Sequence, residues 1–276
     1  MLVPNFKSSF YRLALSGSLL FLFSACTKEL SEKEKMKADV LSRESKSNQA
    51  DKLNTFYGPQ VQMGDGKARS FITISHTGVP IELGIEMNDG ALSGFPEDHA
   101  EAAFVLPLHH KATDATPFNH IVINWNEHGH PPFELFSEPH FDFHFYTISL
   151  SEQMAIPAYS PGSAHDILPQ PSYWPAGFVP IPGGVPQMGK HWADILNPVV
   201  PGTFTHTMMY GSYNGKLNFV EPMITRAFIA SGADVTMPYG QPAVFTETGT
   251  YYPTKYNIRD EAGGKHLITL SNFVLR

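Results

Sequence analysis

Hydrophobic and polar positions alternate at period two through most of the chain beyond residue 54, the pattern of strands with one buried and one polar face. RSFITISH at 69–76 and FNHIVINW at 118–125 show it most plainly, and it recurs at 81–87, 140–148, 203–210, 216–221, 243–248, 254–260 and 265–275. These stretches are rich in β-branched and aromatic residues and are separated by Gly, Pro, Asn and Asp. Helical patterning is confined to 99–104, 151–156 and 224–231. No repeat of 20–50 residues is present, which argues against a solenoid or a propeller. The expectation is a mainly β chain: one globular domain over 55–276, a β-barrel or sandwich-like, with a few short helices.

One long stretch breaks the alternation. Residues 157–186 hold eight prolines together with Tyr159, Tyr173, Trp174 and Phe178. A loop this long in a compact domain is more often functional or packed than floppy, and proline lowers the entropy lost when irregular chain is held in place. It reads as a lid over a site or as an arm on a neighbouring subunit, with the lid favoured.

The first 54 residues follow other rules. Lys7 and Arg12 precede an apolar run from Leu13 to Phe23, broken only by Ser16, Gly17 and Ser18. That is too short to span a bilayer as a permanent helix but suits an export signal over 1–25. Phe23-Ser24-Ala25-Cys26 then resembles the lipobox of bacterial lipoproteins, with Phe23 where Leu is commonest; it implies lipidation at Cys26 and an extracytoplasmic domain anchored to a membrane. Residues 26–54 carry thirteen charged side chains of both signs and no aromatic. Such a segment cannot bury enough surface to offset chain entropy and reads as a solvated tether.

Composition narrows the chemistry. The single cysteine, placed at the anchor, leaves the domain without thiols for disulfides, thiolate zinc sites or iron–sulfur clusters. Residues 55–276 contain all thirteen histidines, with 10 Lys/Arg against 20 Asp/Glu. An acidic domain lacks the footprint of a nucleic-acid binder, whereas divalent cations or small neutral ligands suit it. No phosphate-binding glycine loop or nucleophile elbow is present.

The sharpest local signal is His140-Phe141-Asp142-Phe143-His144-Phe145-Tyr146. On a strand His140, Asp142 and His144 share one face while the three phenylalanines share the other. Backbone positions i and i+2 are ~6.6 Å apart and can serve one ion, whereas i and i+4 are ~13 Å apart. His140 and His144 therefore reach one metal only across a bulge; otherwise adjacent pairs act, or Asp142 orients a histidine. Upstream, His128 and His130 followed by Glu134 resemble the first half of the cupin metal motif, but with Ile123 near the position of its leading glycine and no downstream glycine. His191 and Asp194 follow the proline-rich loop. Asn214-Gly215 marks a hairpin. Pairing Tyr213 with Lys216 sets Met208 opposite Glu221 and places His206 diagonal to Glu221 on the same face. Candidate metal ligands are thus His130, His140, His144, His191 and His206, with Asp142 and Glu221 as candidate general bases. The remaining strand histidines, such as His109, His120 and His266, read as structural. Imidazole and carboxylate without thiolate point to a divalent metal, zinc foremost.

The set GHPP at 129–132, PHFDFHFY at 139–146, MGKHW at 188–192, FTHTMMYGSYNGK at 204–216 and EPMIT at 221–225 resembles a family of secreted bacterial proteins. That family is typified by a hypothetical protein of a thermophile under envelope-stress sigma-factor control, and the resemblance spans roughly residues 55–230. It implies an extracytoplasmic β-rich domain that assembles as a homo-oligomer; it supplies no catalytic residues. Two functions are expected: a metal-dependent hydrolase or lyase, or a non-enzymatic oligomeric envelope protein that binds a small ligand or partner.

Overall fold

The computed structural model describes residues 53–95 and 102–276, with Lys35 alone before them. The chain divides into a unit at 1–51 and a unit at 52–276. The expected signal segment, Cys26 and nearly all of the tether lie outside the described residues. The first strand starts at Leu53, so the last two expected tether positions are strand.

In chain order the elements are β1 (Leu53–Tyr57), β2 (Val61–Met63), β3 (Gly66–Ser75), β4 (Pro80–Asn88), β5 (Ala102–Pro107), α1 (His110–Ala115), β6 (His120–Asn126), α2 (Phe133–Phe136) and β7 (His140–Tyr146). They continue with α3 (Leu150–Met154), β8 (Phe178–Pro180), β9 (Lys190–Asp194), β10 (His206–Tyr213), β11 (Lys216–Thr225) and α4 (Arg226–Ala230). The last are β12 (Val235–Pro238), β13 (Tyr251–Tyr252), β14 (Lys255–Glu261), β15 (Lys265–Ser271) and β16 (Val274–Leu275). One sheet runs β1-β3-β4-β15-β14-β12 with β2 on β3, a second runs β5-β6-β7-β11-β10-β9-β8, and β13 pairs with β16. The fold is mainly β and antiparallel. Neither large sheet closes on itself, so the barrel alternative falls.

Each large sheet gives one face to a common buried cluster. Ile72, Leu83, Ile85 and Ile268 come from the first sheet, and Ile121, Ile123, Phe141, Phe143 and Phe145 from the second. No helix of the described residues is long and apolar enough to cross a membrane.

The outer faces differ. On the first sheet, Arg69 and Lys265 meet Glu86, and Arg259 meets Glu82, in partly exposed cross-strand pairs of small individual worth. The outer face of the second sheet is not left to water: His140, Asp142, His144 and Tyr146 of β7 are all buried. The proline-rich segment covers it. Lys190 Nζ donates to Gly183 O at 2.8 Å and faces Asp166 at 3.2 Å, and the Tyr146 hydroxyl donates to Gln187 O at 3.1 Å; on the inter-sheet side, Trp174 packs edge-on against Trp192.

Two expected elements are corrected. Residues 102–107, inside the helical expectation at its start, form edge strand β5, because pairing with β6 outweighs the helix preference of Ala102 and Ala103. Residues 243–248 form bends rather than a strand. The 151–156 helix is found as α3 with a Ser149/Glu152 capping box, and 224–231 shortens to α4 because β11 runs on to Thr225.

The Asn214-Gly215 hairpin forms as expected, both residues at positive φ and Tyr213 opposite Lys216. A bulge between Gly211 and Ser212 then shifts the register, so that Met209, not Met208, lies opposite Glu221. A one-residue shift reverses the facing of every side chain beyond it. Gly211 accommodates the close approach of the Phe219 ring, which a Cβ there would overlap. That ring is buried against His144, Tyr146 and His191 and has little freedom to yield. Gly211→Ala is expected to lower unfolding stability by about 1–3 kcal/mol, the usual cost of overpacking, measured by urea denaturation.

Candidate metal centre

Antiparallel pairing builds the site on the outer face of the second sheet. Met223 lies opposite Asp142 and Phe219 opposite Tyr146, a register that brings Glu221 across from His144. On the far side of β10, His191 lies opposite Gly211, on the same face. His130 comes from outside the sheet, on the turn between β6 and α2. Its N–H donates to Phe136 O at 3.0 Å, and its Nδ1 donates to Pro131 O at 2.9 Å.

Six of the seven expected residues thereby form two triads, His130/His140/Asp142 and His144/His191/Glu221, each residue offering one ligand atom within 4.8 Å of the other two. His140 and His144 serve different triads, as strand spacing requires. In the first, His140 Nε2 stands 3.2 Å and His130 Nε2 3.5 Å from carboxylate oxygens of Asp142. In the second, His144 Nε2 and His191 Nε2 stand 3.4 and 3.5 Å from those of Glu221. These gaps exceed the ~2.7–2.9 Å of a charge-assisted hydrogen bond. They suit two ligands on one ion, which with bonds of about 2.1 Å are about 3.4 Å apart in a tetrahedron.

Proton placement agrees with that geometry. His140 Nδ1 lies 2.7 Å from Glu138 O, an acceptor only, so Nδ1 carries a proton and Nε2 is the ring nitrogen turned toward Asp142. His140 Nε2, Asp142 Oδ1 and both ring nitrogens of His144 are buried without a hydrogen-bond partner. Burial raises the pKa of Asp142, but the adjacent His130 and His140 more than reverse this and hold it well below the usual carboxylate range. Burial pushes His144 down to about 3 and His191 to about 4, against the opposing charge of Asp142. An ionised Asp142 carboxylate and neutral His144 and His191 imidazoles are ligating forms. Asn126 Nδ2 donates to Asp142 Oδ2 at 2.7 Å and fixes that carboxylate from β6.

A cavity of about 480 Å³ lies over both triads, with Asn126, His130, Asp142, His191 and Glu221 on its wall. Tyr159 and residues 181–185 of the proline-rich segment also line it, which makes the segment a roof. Asp142 and Glu221, expected as bases, stand among the ligand atoms, where ligation would use the lone pairs that a base needs. Neither His128 nor Glu134 joins a triad, so the cupin-type pair is not formed.

His206 is the residue the register shift removes. It turns to the inter-sheet side, where its Nδ1 shares a 2.8 Å hydrogen bond with the Tyr256 hydroxyl and its ring packs on Phe228. Other histidines hold structure: His109 caps α1, His120 stacks on Tyr146 and contacts Gln153, and His266 lies between Asp89 and Asp260. Sequence reasoning missed Asn126, for which the polar end of FNHIVINWN on the ligand-bearing face was the available signal.

Burial lowers the pKa of His206, so the folded state takes up its proton less readily than the unfolded chain. Its contribution is complete above the unfolded value of about 6.5 and is lost as pH falls through the folded value. Urea titrations of chelator-treated protein between pH 7.5 and 5 are expected to show stability falling with pH, and His206→Gln to reduce that slope.

A family model described as TTHB210-like, Hypothetical protein TTHB210, matches residues 75–125. No curated protein and no solved structure matches the chain. The matched stretch runs from the end of β3 into β6 and stops before His130, so it contains none of the candidate ligands. Over those residues the chain is similar to the TTHB210-like family.

Proposed function

We propose that this chain binds divalent transition-metal ions, zinc foremost, at the two triads and uses them for a hydrolytic or lyase reaction in the cavity above. One observation carries the reading. Ligand-type side chains from the 130 turn, β7, β9 and β11 converge into two sets of two imidazoles and one carboxylate, among which fully buried ring nitrogens lack hydrogen bonds. Two histidines and a carboxylate with a position left open are the ligand set of catalytic zinc hydrolases. A bound ion would supply Lewis acidity and a water acidified toward neutral pH. The candidate ligands are enclosed within one chain, which favours this reading over one in which the histidines serve a subunit interface.

Metal analysis of protein purified without a histidine tag is expected to find one equivalent per triad, with Asp142→Asn and Glu221→Gln each losing one. Zinc at 100 times its dissociation constant should add about 2.7 kcal/mol of stability per site, read by urea denaturation. Metal below about a tenth of an equivalent, with stability unchanged by chelator, would sink the reading.

We also propose that the domain is extracytoplasmic and lipid-anchored through Cys26, on the charge, apolar run and lipobox of the first 26 residues. Cys26→Ser is expected to move the protein from the membrane fraction to the soluble fraction and to remove the lipid mass from the N-terminal peptide.

A further inference from the structure

Beyond the ligands, the cavity over the triads has a consistent chemistry. Phe136, Ile181, Val185, Met188, Met209 and Met223 supply apolar wall, with prolines 131, 132 and 182 between them. Met209 and Met223 are not loose: they pack with Phe136 and Phe204 into a separate buried cluster on this side of the sheet. Two further polar side chains line the space, and both have partners. Asn126 donates to Asp142, and the Tyr159 hydroxyl donates to Asp166 Oδ2 at 3.3 Å.

No lysine or arginine is among the lining residues. The nearby Lys190 points its ammonium at Ile181 O, Gly183 O and Asp166, where it holds the roof. Phosphate esters are commonly held by arginine forks or lysines in addition to metal, and polyols need several side-chain partners for their hydroxyls. The wall provides neither. It does provide an extended apolar surface beside two centres able to take an oxygen ligand.

We infer that the cavity takes a small acyl compound, such as an ester or amide of an aliphatic acid, with its oxygen-bearing head at the triads and its apolar body on the Met209/Met223/Ile181 wall. This rests on the metal reading of the triads. Moving a methylene from water onto such a wall strengthens binding about fourfold.

The test uses the full domain loaded with zinc, its metal content measured before and after each titration. Linear alkyl hydroxamates from two to eight carbons are titrated by calorimetry, with inorganic phosphate and phenyl phosphate as comparison ligands. Affinity is expected to rise by about threefold to fourfold per carbon over the first several members and to exceed that of either phosphate. Met209→Gln, which keeps length but adds an amide, is expected to flatten the series while leaving the zinc content unchanged. A flat series on zinc-loaded wild-type protein, or tighter binding of phosphate, overturns the inference and leaves the metal reading standing. Failure to load zinc overturns both.

Discussion

Two carboxylates and their imidazole partners, taken out of water on one sheet face, set the terms for the rest of this structure. Asp142 is held ionised and His144 neutral, while His140 Nε2 and both nitrogens of His144 have no hydrogen-bond partner. Burying a carboxylate costs several kcal/mol unless paired or metal-bound. The opposite face of β7 meets that demand in part: Phe141, Phe143 and Phe145 are fully buried in the cluster shared by both large sheets. Each would cost about 3–5 kcal/mol if truncated to alanine. One strand thus contributes apolar stability on one side and chemistry on the other.

Enclosure follows from the same constraint. An imidazole–carboxylate set exposed to solvent would be screened, and its ligand atoms would be satisfied by water. Here the covering segment is fixed by groups that belong to the site's own strands: Lys190 from β9 and Tyr146 from β7. Prolines make that cover less costly to order. The roof and the triads are therefore one construction, and Lys190, although beside His191, serves the roof.

Much of this was legible because strand parity is strict. The HFDFHFY run can be divided into a core face and a ligand face without a structure, and the ~13 Å between positions i and i+4 kept His140 and His144 from sharing one centre on a regular strand. The Asn-Gly turn likewise fixed the start of the hairpin. What escaped was the bulge opposite Gly211 and Ser212, where the extra residue, Asn218 on β11, leaves no compositional mark beyond a glycine in the facing strand. Its effect was large, because the slip exchanged His206 for the β9 residue His191 as the partner of Glu221. His191 had no strand signal in a five-residue element between irregular segments, and its place became definite only through pairing with β10. The 102–107 strand was obscured by alanines whose helix preference is local, whereas edge pairing is not.

The two triads share a cavity but not an environment, and on the metal reading this gives them unequal roles. The His144 and Glu221 side chains are 0% and 1% exposed and that of His191 16%, whereas His130 in the other triad is 32% exposed. His130 is also the one ligand outside the sheet, tethered through Pro131 O and Phe136 O of its own turn. A ligand on a short turn can shift without disturbing strand pairing, whereas His140, His144, His191, Asp142 and Glu221 cannot. Exchange of ions and entry of substrate oxygen are therefore easiest beside His130. The His144/His191/Glu221 centre, held by three strands and more deeply buried, is the rigid reference against which a substrate at the first centre would be oriented.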